Sequence, residues 1–215
     1  MKKLKKIVAA MTTAAISAVS LCSMFTVSAN SGRETFRIYV DVPANSGVSK
    51  VLLNLRYTPS VTDVCRFYKG TMDNRWRMTV VMDSGIYCGI NVVAGTDQDL
   101  TSPGTLGVIT MIAPSSTRDL FDLVDINIQS ISNYTGSELP TSRIRISNIM
   151  VGDINSDGKV DSSDATLLNN YLNGNVILSG NALRAADTTG DFGISDDDLT
   201  HLNNYLNGTV NNFDA

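Results

Sequence analysis

The stretch Asp153-Ile-Asn-Ser-Asp-Gly-Lys-Val-Asp-Ser-Ser-Asp164 decides how the chain is read. Oxygen-bearing side chains fall at positions 1, 3, 5, 9 and 12 of the twelve: Asp153, Asn155, Asp157, Asp161 and Asp164. Ca²⁺ is a hard cation that takes six to eight oxygens. A twelve-residue loop wraps them around the ion only if the chain turns sharply midway. Gly158 at position 6 permits that turn. Lys159 at position 7 would offer its backbone carbonyl, so its side-chain charge does not disqualify it. Val160 at position 8 is expected to point inward, toward a partner loop.

A shift of 34 residues brings the pattern back. Asp153 maps to Asp187, Asp157 to Asp191, Val160 to Ile194 and Asp164 to Asp198. The second ligand set is then Asp187, Thr189, Asp191, the Gly193 carbonyl, Ser195 and Asp198. The following helix repeats almost verbatim, Leu168-Asn-Asn-Tyr-Leu-Asn-Gly174 against Leu202-Asn-Asn-Tyr-Leu-Asn-Gly208. A lone acidic turn of this spacing arises by chance often enough to be discounted. A tandem copy carrying its own helix does not.

This duplicated loop–helix unit resembles a dockerin, the plug module of cellulosome-type assemblies, over residues 151–210. The repeats span 153–174 and 187–208, with 211–215 left as a tail. An ordinary EF-hand has a helix entering each loop. Here Arg143-Ile-Arg-Ile-Ser-Asn-Ile-Met-Val151 alternates like a strand instead, and dockerins likewise keep only the exiting helix. The resemblance implies two Ca²⁺ sites and a cohesin module of a scaffold protein as partner. It places partner choice at loop positions 10 and 11, Ser162-Ser163 and Asp196-Asp197, and on the helix behind. The paired Asn169, Asn170, Asn203 and Asn204 are the candidates there. Asparagine is a mediocre helix former, so its use at matched positions suggests hydrogen-bonded recognition; the plainer reading is a solvated polar face. The second repeat departs from the family pattern. Thr189 stands at position 3, and Phe192 replaces glycine at position 6. A β-carbon strains that turn and a hydroxyl is a poorer calcium ligand, so the second site is expected to be the weaker.

Residues 1–29 read as a signal peptide: a basic Met-Lys-Lys-Leu-Lys-Lys start, an apolar alanine-rich run from Ile7 to Leu21, and a small-residue cleavage site at Val27-Ser28-Ala29. The expectation is a secreted, extracellular protein, with no membrane contact after cleavage. Losing four of the 17 basic residues and none of the 21 acidic ones moves the formal charge from −4 to −8. With that balance and no basic patch, a nucleic-acid partner is excluded. Cys65 and Cys88 remain; an exported protein can bridge them, and a β-core can equally bury them as thiols.

Residues 31–148 alternate with a period of two. Phe36, Ile38, Val40 and Val42 share one face of a strand; Val51, Leu53, Leu55 and Tyr57 share a face of another. Trp76 to Met82, Leu106 to Ile112, Ile126-Asn-Ile128 and Ile144-Arg-Ile146 continue the pattern, with Pro, Gly, Asn, Ser and Asp turns between them. Seven or eight short strands without convincing helices predict an all-β, antiparallel, jelly-roll-like sandwich, followed by the small α-helical EF-hand-like module. Within the sandwich, Gly47-Val-Ser-Lys-Val-Leu-Leu-Asn-Leu-Arg-Tyr-Thr-Pro-Ser-Val61 and Gly104-Thr-Leu-Gly-Val-Ile109 resemble strands of a cohesin, the socket that receives a dockerin. Thr58 and Thr62 depart from that family's usual residues.

Catalytic equipment is sparse. The one histidine, His201, replaces Leu167 on the second repeat's helix, so serine and cysteine nucleophiles lack a histidine base. A glycosidase needs two facing carboxylates. The sandwich offers Glu34 and Glu138 near its two ends, and aspartates mostly in turns. Trp76 with Tyr57, Tyr68, Tyr87 and Tyr134 would make a sugar-stacking platform if exposed; alternation favours the core for Trp76. The expectation is a non-catalytic assembly component, an adaptor whose sandwich binds another dockerin. The alternatives are a carbohydrate-binding module for a plant polysaccharide, carried by its dockerin, and a small dockerin-bearing glycoside hydrolase.

Overall fold

The computed structural model describes residues 32–58, 60–69, 77–83, 88–95 and 98–213; for the strands between 62 and 95 it describes the backbone path. The segment read as a signal peptide, Trp76 and Tyr87 lie outside the described residues, as do the side chains of Cys65, Cys88 and Tyr68.

Eight strands come first: β1 (Arg33–Val42), β2 (Lys50–Tyr57), β3 (Thr62–Lys69), β4 (Arg77–Asp83), β5 (Cys88–Gly95), β6 (Gly104–Pro114), β7 (Val124–Ser132) and β8 (Arg145–Met150). They form two four-stranded antiparallel sheets, ordered β3-β6-β1-β8 and β4-β5-β2-β7. Phe36, Ile38, Val40 and Val42 of β1 face Val51, Leu53 and Leu55 of β2 across a common core, as their alternation predicted. β3 and β5 were not picked out individually from sequence. β5 has glycines near both ends and the adjacent pair Val92-Val93 between them, so little alternation shows, and its place between β4 and β2 comes from pairing. β6 carries a bulge: Val40 pairs with Gly107 but Asp41 with Thr105, leaving Leu106 as the extra residue. Leu106 and Ile109 therefore both enter the core despite their odd spacing.

The three helices follow in the repeat module: α1 (Ser162–Leu172), α2 (Asn181–Ala186) and α3 (Asp196–Leu206). α2, in the connection between the two repeats, was not anticipated from sequence. No linker separates the module from the sandwich. The Val151 N–H donates to the Thr35 carbonyl, next to the last β8 residue, and the Gly152 N–H donates to the Ala185 carbonyl of α2.

β1 shows what this continuity does. Thr35 to Val40 are all buried, although only every second residue faces the sandwich core. Thr35, Arg37 and Tyr39 are on the opposite face, and the repeat module covers them. Tyr39, Val108 and Ile149 of the sheet join Ile154, Leu168, Ala185 and Leu202 of the module in a second apolar cluster. Phe213, inside the segment expected to be a tail, belongs to it too. It is buried, and its N–H donates to Thr35 Oγ1 at 3.1 Å.

Candidate metal loops and partner-binding face

Both loops are closed by their first and last aspartates. In the first, Asp153 accepts from the Asp157 and Gly158 N–H groups, each at 3.0 Å. Asp164 accepts from the Ile154 and Asn155 N–H groups at 2.8 and 3.1 Å, and from the Asp161 N–H at 2.9 Å. That last bond, with Asp161 accepting from the Ser163 N–H, makes a capping box that starts α1 where the loop ends. The second loop repeats the arrangement. Asp187 accepts from the Gly190 and Phe192 N–H groups at 2.8 and 3.2 Å. Asp198 accepts from the Thr189 and Ser195 N–H groups at 3.0 and 2.9 Å, and a capping box starts α3.

The ligand candidates differ between loops at position 3. Asn155 accepts from the Asp157 N–H at 2.9 Å and donates to Asp157 Oδ2 at 3.0 Å and to Ser163 Oγ at 2.9 Å. Thr189 instead donates its hydroxyl to Asp198 at 2.9 Å. Among the described residues, no three Asp, Glu, His or Cys groups are gathered as a formed ion site; the carboxylates are turned onto loop N–H groups. The donor set nonetheless fits calcium. It is all oxygen, it is placed around one turn, and burial holds Asp153, Asp164 and Asp187 above the usual carboxylate range, a cost that a divalent cation removes. Asp153, Asn155, Asp157, the Lys159 carbonyl, Asp161 and Asp164 would hold one ion. Asp187, Thr189, Asp191, the Gly193 carbonyl, Ser195 and Asp198 would hold the other.

Backbone geometry agrees with the strain expected at Phe192 and adds a counterpart in the first loop. Each loop has two left-handed residues, at positions 4 and 6. In the first they are Ser156 (φ 60°) and Gly158 (φ 81°); in the second, Gly190 (φ 79°) and Phe192 (φ 67°). Of its two left-handed residues each loop thus has one glycine and one strained residue, in opposite order. A lone motif scan sees only position 6.

Sequence reasoning also missed the side chains that meet these loops from the sandwich. Arg118 donates to the Gly158 carbonyl of the first loop. Arg37 donates to the Asp187 carbonyl and, at 3.2 Å, to that of Thr188 in the second. Arg184 of α2 donates to Asp41 at 2.9 Å and to Ser147 at 3.2 Å, and lies 4.3 Å over the Tyr39 ring. Tyr205 of α3 donates to Glu34 at 2.7 Å. None of these partners could be named without knowing which sheet face the module covers.

Most of the residues singled out for partner choice are exposed. Ser162, Ser163, Asn169, Asp196, Asp197 and Asn203 are exposed, and Asn170 and Asn204 are half-buried. Asn173, by contrast, donates back to the Asn169 carbonyl at 2.7 Å and so serves the helix end. His201 is half-buried, with Nδ1 3.1 Å from the Thr188 carbonyl and its ring edge-on to Phe213; burial lowers its basicity. Of the aromatic residues considered for sugar stacking, Tyr57 is in the core and Tyr134 is exposed at the end of β7. The Glu34 carboxylate is engaged by Tyr205 at the module seam. Among the described residues no helix is long and apolar enough to cross a membrane.

An antiparallel two-sheet β-rich region followed by a duplicated loop–helix module of short helices is the architecture these observations define. Residues 151–207 match the dockerin type I domain, a cellulosome-type assembly module whose members bind calcium. Among solved structures the chain is similar to a non-cellulosomal cohesin from the hyperthermophilic archaeon Archaeoglobus fulgidus, at 14% identity and a TM-score of 0.38, over 51% of this chain and 74% of that one. No curated protein matches the chain.

Proposed function

We propose that the chain is a secreted, non-catalytic adaptor that joins two modules in a polysaccharide-degrading assembly. Its dockerin segment plugs, with calcium in both loops, into a cohesin of a scaffold protein. Its sandwich receives another module. The observation that supports this best is the division of the dockerin surface. The face turned to the sandwich is apolar and buried, while loop positions 10 and 11 and the paired helix asparagines stay open to a partner. The first loop is the stronger calcium site, because aspartates fill four of its ligand positions where they fill three in the second, and it places Asn155 where the second has Thr189.

The two exposed patches are not equivalent. Ser162-Ser163 is neutral and Asp196-Asp197 carries two charges, and a socket cannot favour both. Binding therefore uses one orientation, with the serine pair and Asn169-Asn170 foremost. Capture of the purified chain on immobilised cohesins, with calcium and with chelator, tests the reading. Ser162→Asp with Ser163→Asp should abolish capture, and Asp196→Ser with Asp197→Ser should leave it intact. Capture that survives in chelator, or that is lost only when all four are changed, would overturn the respective part. For the sandwich, retention on immobilised dockerins rather than on insoluble polysaccharide is expected. Release of reducing sugar that disappears in Glu34→Gln or Glu138→Gln would overturn the non-catalytic role.

A further inference from the structure

We infer that Arg37 acts as an internal counter-cation for the second calcium loop, so that the sandwich itself sets how tightly that loop takes calcium. Arg37 projects from the covered face of β1 and is 2% exposed. Its guanidinium donates to the Asp187 and Thr188 carbonyls and lies 4.0 Å from Asp187 Oδ2, the carboxylate at loop position 1. Its Nε is buried without a hydrogen-bond partner. A charge this deeply buried and incompletely bonded is held by the field around it, and the carboxylate placed beside it is Asp187 of the second loop.

The loop is shaped for this side chain. A β-carbon on Gly190 would come within 2.9 Å of Arg37 Nη2 and 3.3 Å of its Cζ. This accounts for the exchanged glycine positions. In the second loop the left-handed glycine is at position 4, where Arg37 crosses the chain; in the first it is at position 6, where Arg118 crosses. The two arginines differ in the property that matters. Arg118 is exposed, so water screens it from the first loop, whereas Arg37 is buried against a ligand carboxylate.

Neither carbonyl that Arg37 holds is a ligand position, so Arg37 does not block the ion's place. It brings a fixed positive charge beside Asp187, which supports the loop without metal and opposes a divalent cation's arrival. Calcium binding and seating on the sandwich are then linked with opposite sign at the second loop. By reciprocity, calcium there loosens Arg37 to the same degree that Arg37 weakens calcium. This rests on the reading that the second loop is a calcium site.

The test is a calcium titration of the full-length chain labelled with ¹⁵N-glycine and followed by NMR. The Gly190 and Gly193 amides follow the second loop, and the Gly158 amide the first. Arg37→Gln removes the charge but keeps a donor for the carbonyls. It should lower the half-saturating calcium concentration at Gly190 and Gly193 by at least about tenfold, leaving Gly158 within about twofold. Arg37→Lys keeps the charge and should stay with the unaltered chain. Coincident second-loop curves for the unaltered chain and Arg37→Gln would overturn the inference, as would an equal shift in Arg37→Lys. If Gly190 and Gly193 respond to calcium in no variant, the second-site reading itself fails. A reciprocal measurement needs no substitution: protection of the Arg37 guanidinium protons from solvent exchange should fall when calcium fills the second loop. Unchanged protection at saturation would also overturn the inference.

Discussion

Two glycines at equivalent work illustrate how far a single residue's cost depends on its neighbour. Gly158 and Gly190 both have positive φ, and a β-carbon on either would meet an arginine. Arg118 is exposed and can swing aside; Arg37 is packed in place. Gly158→Ala should therefore cost only the left-handed penalty, about 1 kcal/mol, and Gly190→Ala at least about 2 kcal/mol. Urea denaturation in chelator compares them, and equal losses would show that Arg37 is free to move. The loop aspartates carry a pH prediction. Burial, the leading cause, raises Asp153, Asp164 and Asp187 above the ordinary carboxylate range. The metal-free folded state therefore binds protons more readily than the unfolded chain. That contribution to stability is present at acidic pH and is lost as pH rises through the raised values. Calcium needs the same groups deprotonated. Lowering the pH through the raised values toward the ordinary carboxylate range, about 4, should favour the metal-free folded state through these three groups while weakening calcium binding, as thermal melts with chelator and calcium titrations at each pH would show. Nearer neutral pH the half-buried His201, whose basicity burial lowers, acts in the opposite direction.

The two helices that follow the loops, α1 and α3, are specified at both ends by local sequence. Each begins with a capping box closed by the loop's last aspartate, so the loop and the first helical turn form together. Each ends in a Schellman arrangement. Gly174 and Asn175 donate to the Tyr171 and Asn170 carbonyls, and Gly208 and Thr209 to those of Tyr205 and Asn204. Gly174 and Gly208 have φ of 74° and 71°, and nothing would lie within 4 Å of a β-carbon on either. Gly174→Ala and Gly208→Ala should therefore cost the same conformational amount, about 1 kcal/mol each, measured by urea denaturation of the calcium-loaded chain. This explains part of the near-verbatim repeat: Gly174 and Gly208 end the helices, and the Asn173 side chain donates to the Asn169 carbonyl and Oδ1, whereas Asn169 and Asn203 are exposed.

Sandwich and dockerin share an apolar seam, which changes what each does alone. Phe213 packs 4.4 Å from the Tyr205 ring and 5.5 Å from that of His201, and it touches the site of Gly152. Phe213→Ala should cost about 3 kcal/mol or more and loosen the seam, which limited proteolysis near residue 180 would detect. The isolated 151–210 segment, with its repelling carboxylates and small core, should need calcium to fold. In the full chain, Tyr39, Val108 and Ile149 supply apolar cover and Arg37 supplies charge, so the helices should persist in chelator. Circular dichroism of the two forms without calcium separates these outcomes. Equal loss of helix in both would show that the seam contributes little.

Local spacing was enough to read the duplicated loops, their helices, the strand that replaces an entering helix, and the alternation of β1, β2, β6 and β7. Each of these depends on residues a few positions apart, where periodicity and turn chemistry act directly. β5 escaped because its regular part is short, with glycines near both ends and Val92-Val93 breaking the alternation between them. α2 escaped because six residues are too few to show a helical period. The covered outer face of β1 lay beyond any local reading. Thr35, Arg37 and Tyr39 look like the solvent side of an alternating strand, and only the return of a chain segment more than a hundred residues later buries them. The pairings that depend on that return, Arg37 with the second loop, Arg184 with Asp41 and Tyr205 with Glu34, join residues 143 or more positions apart. No spacing rule reaches that far, because which charges meet is decided by how two surfaces pack.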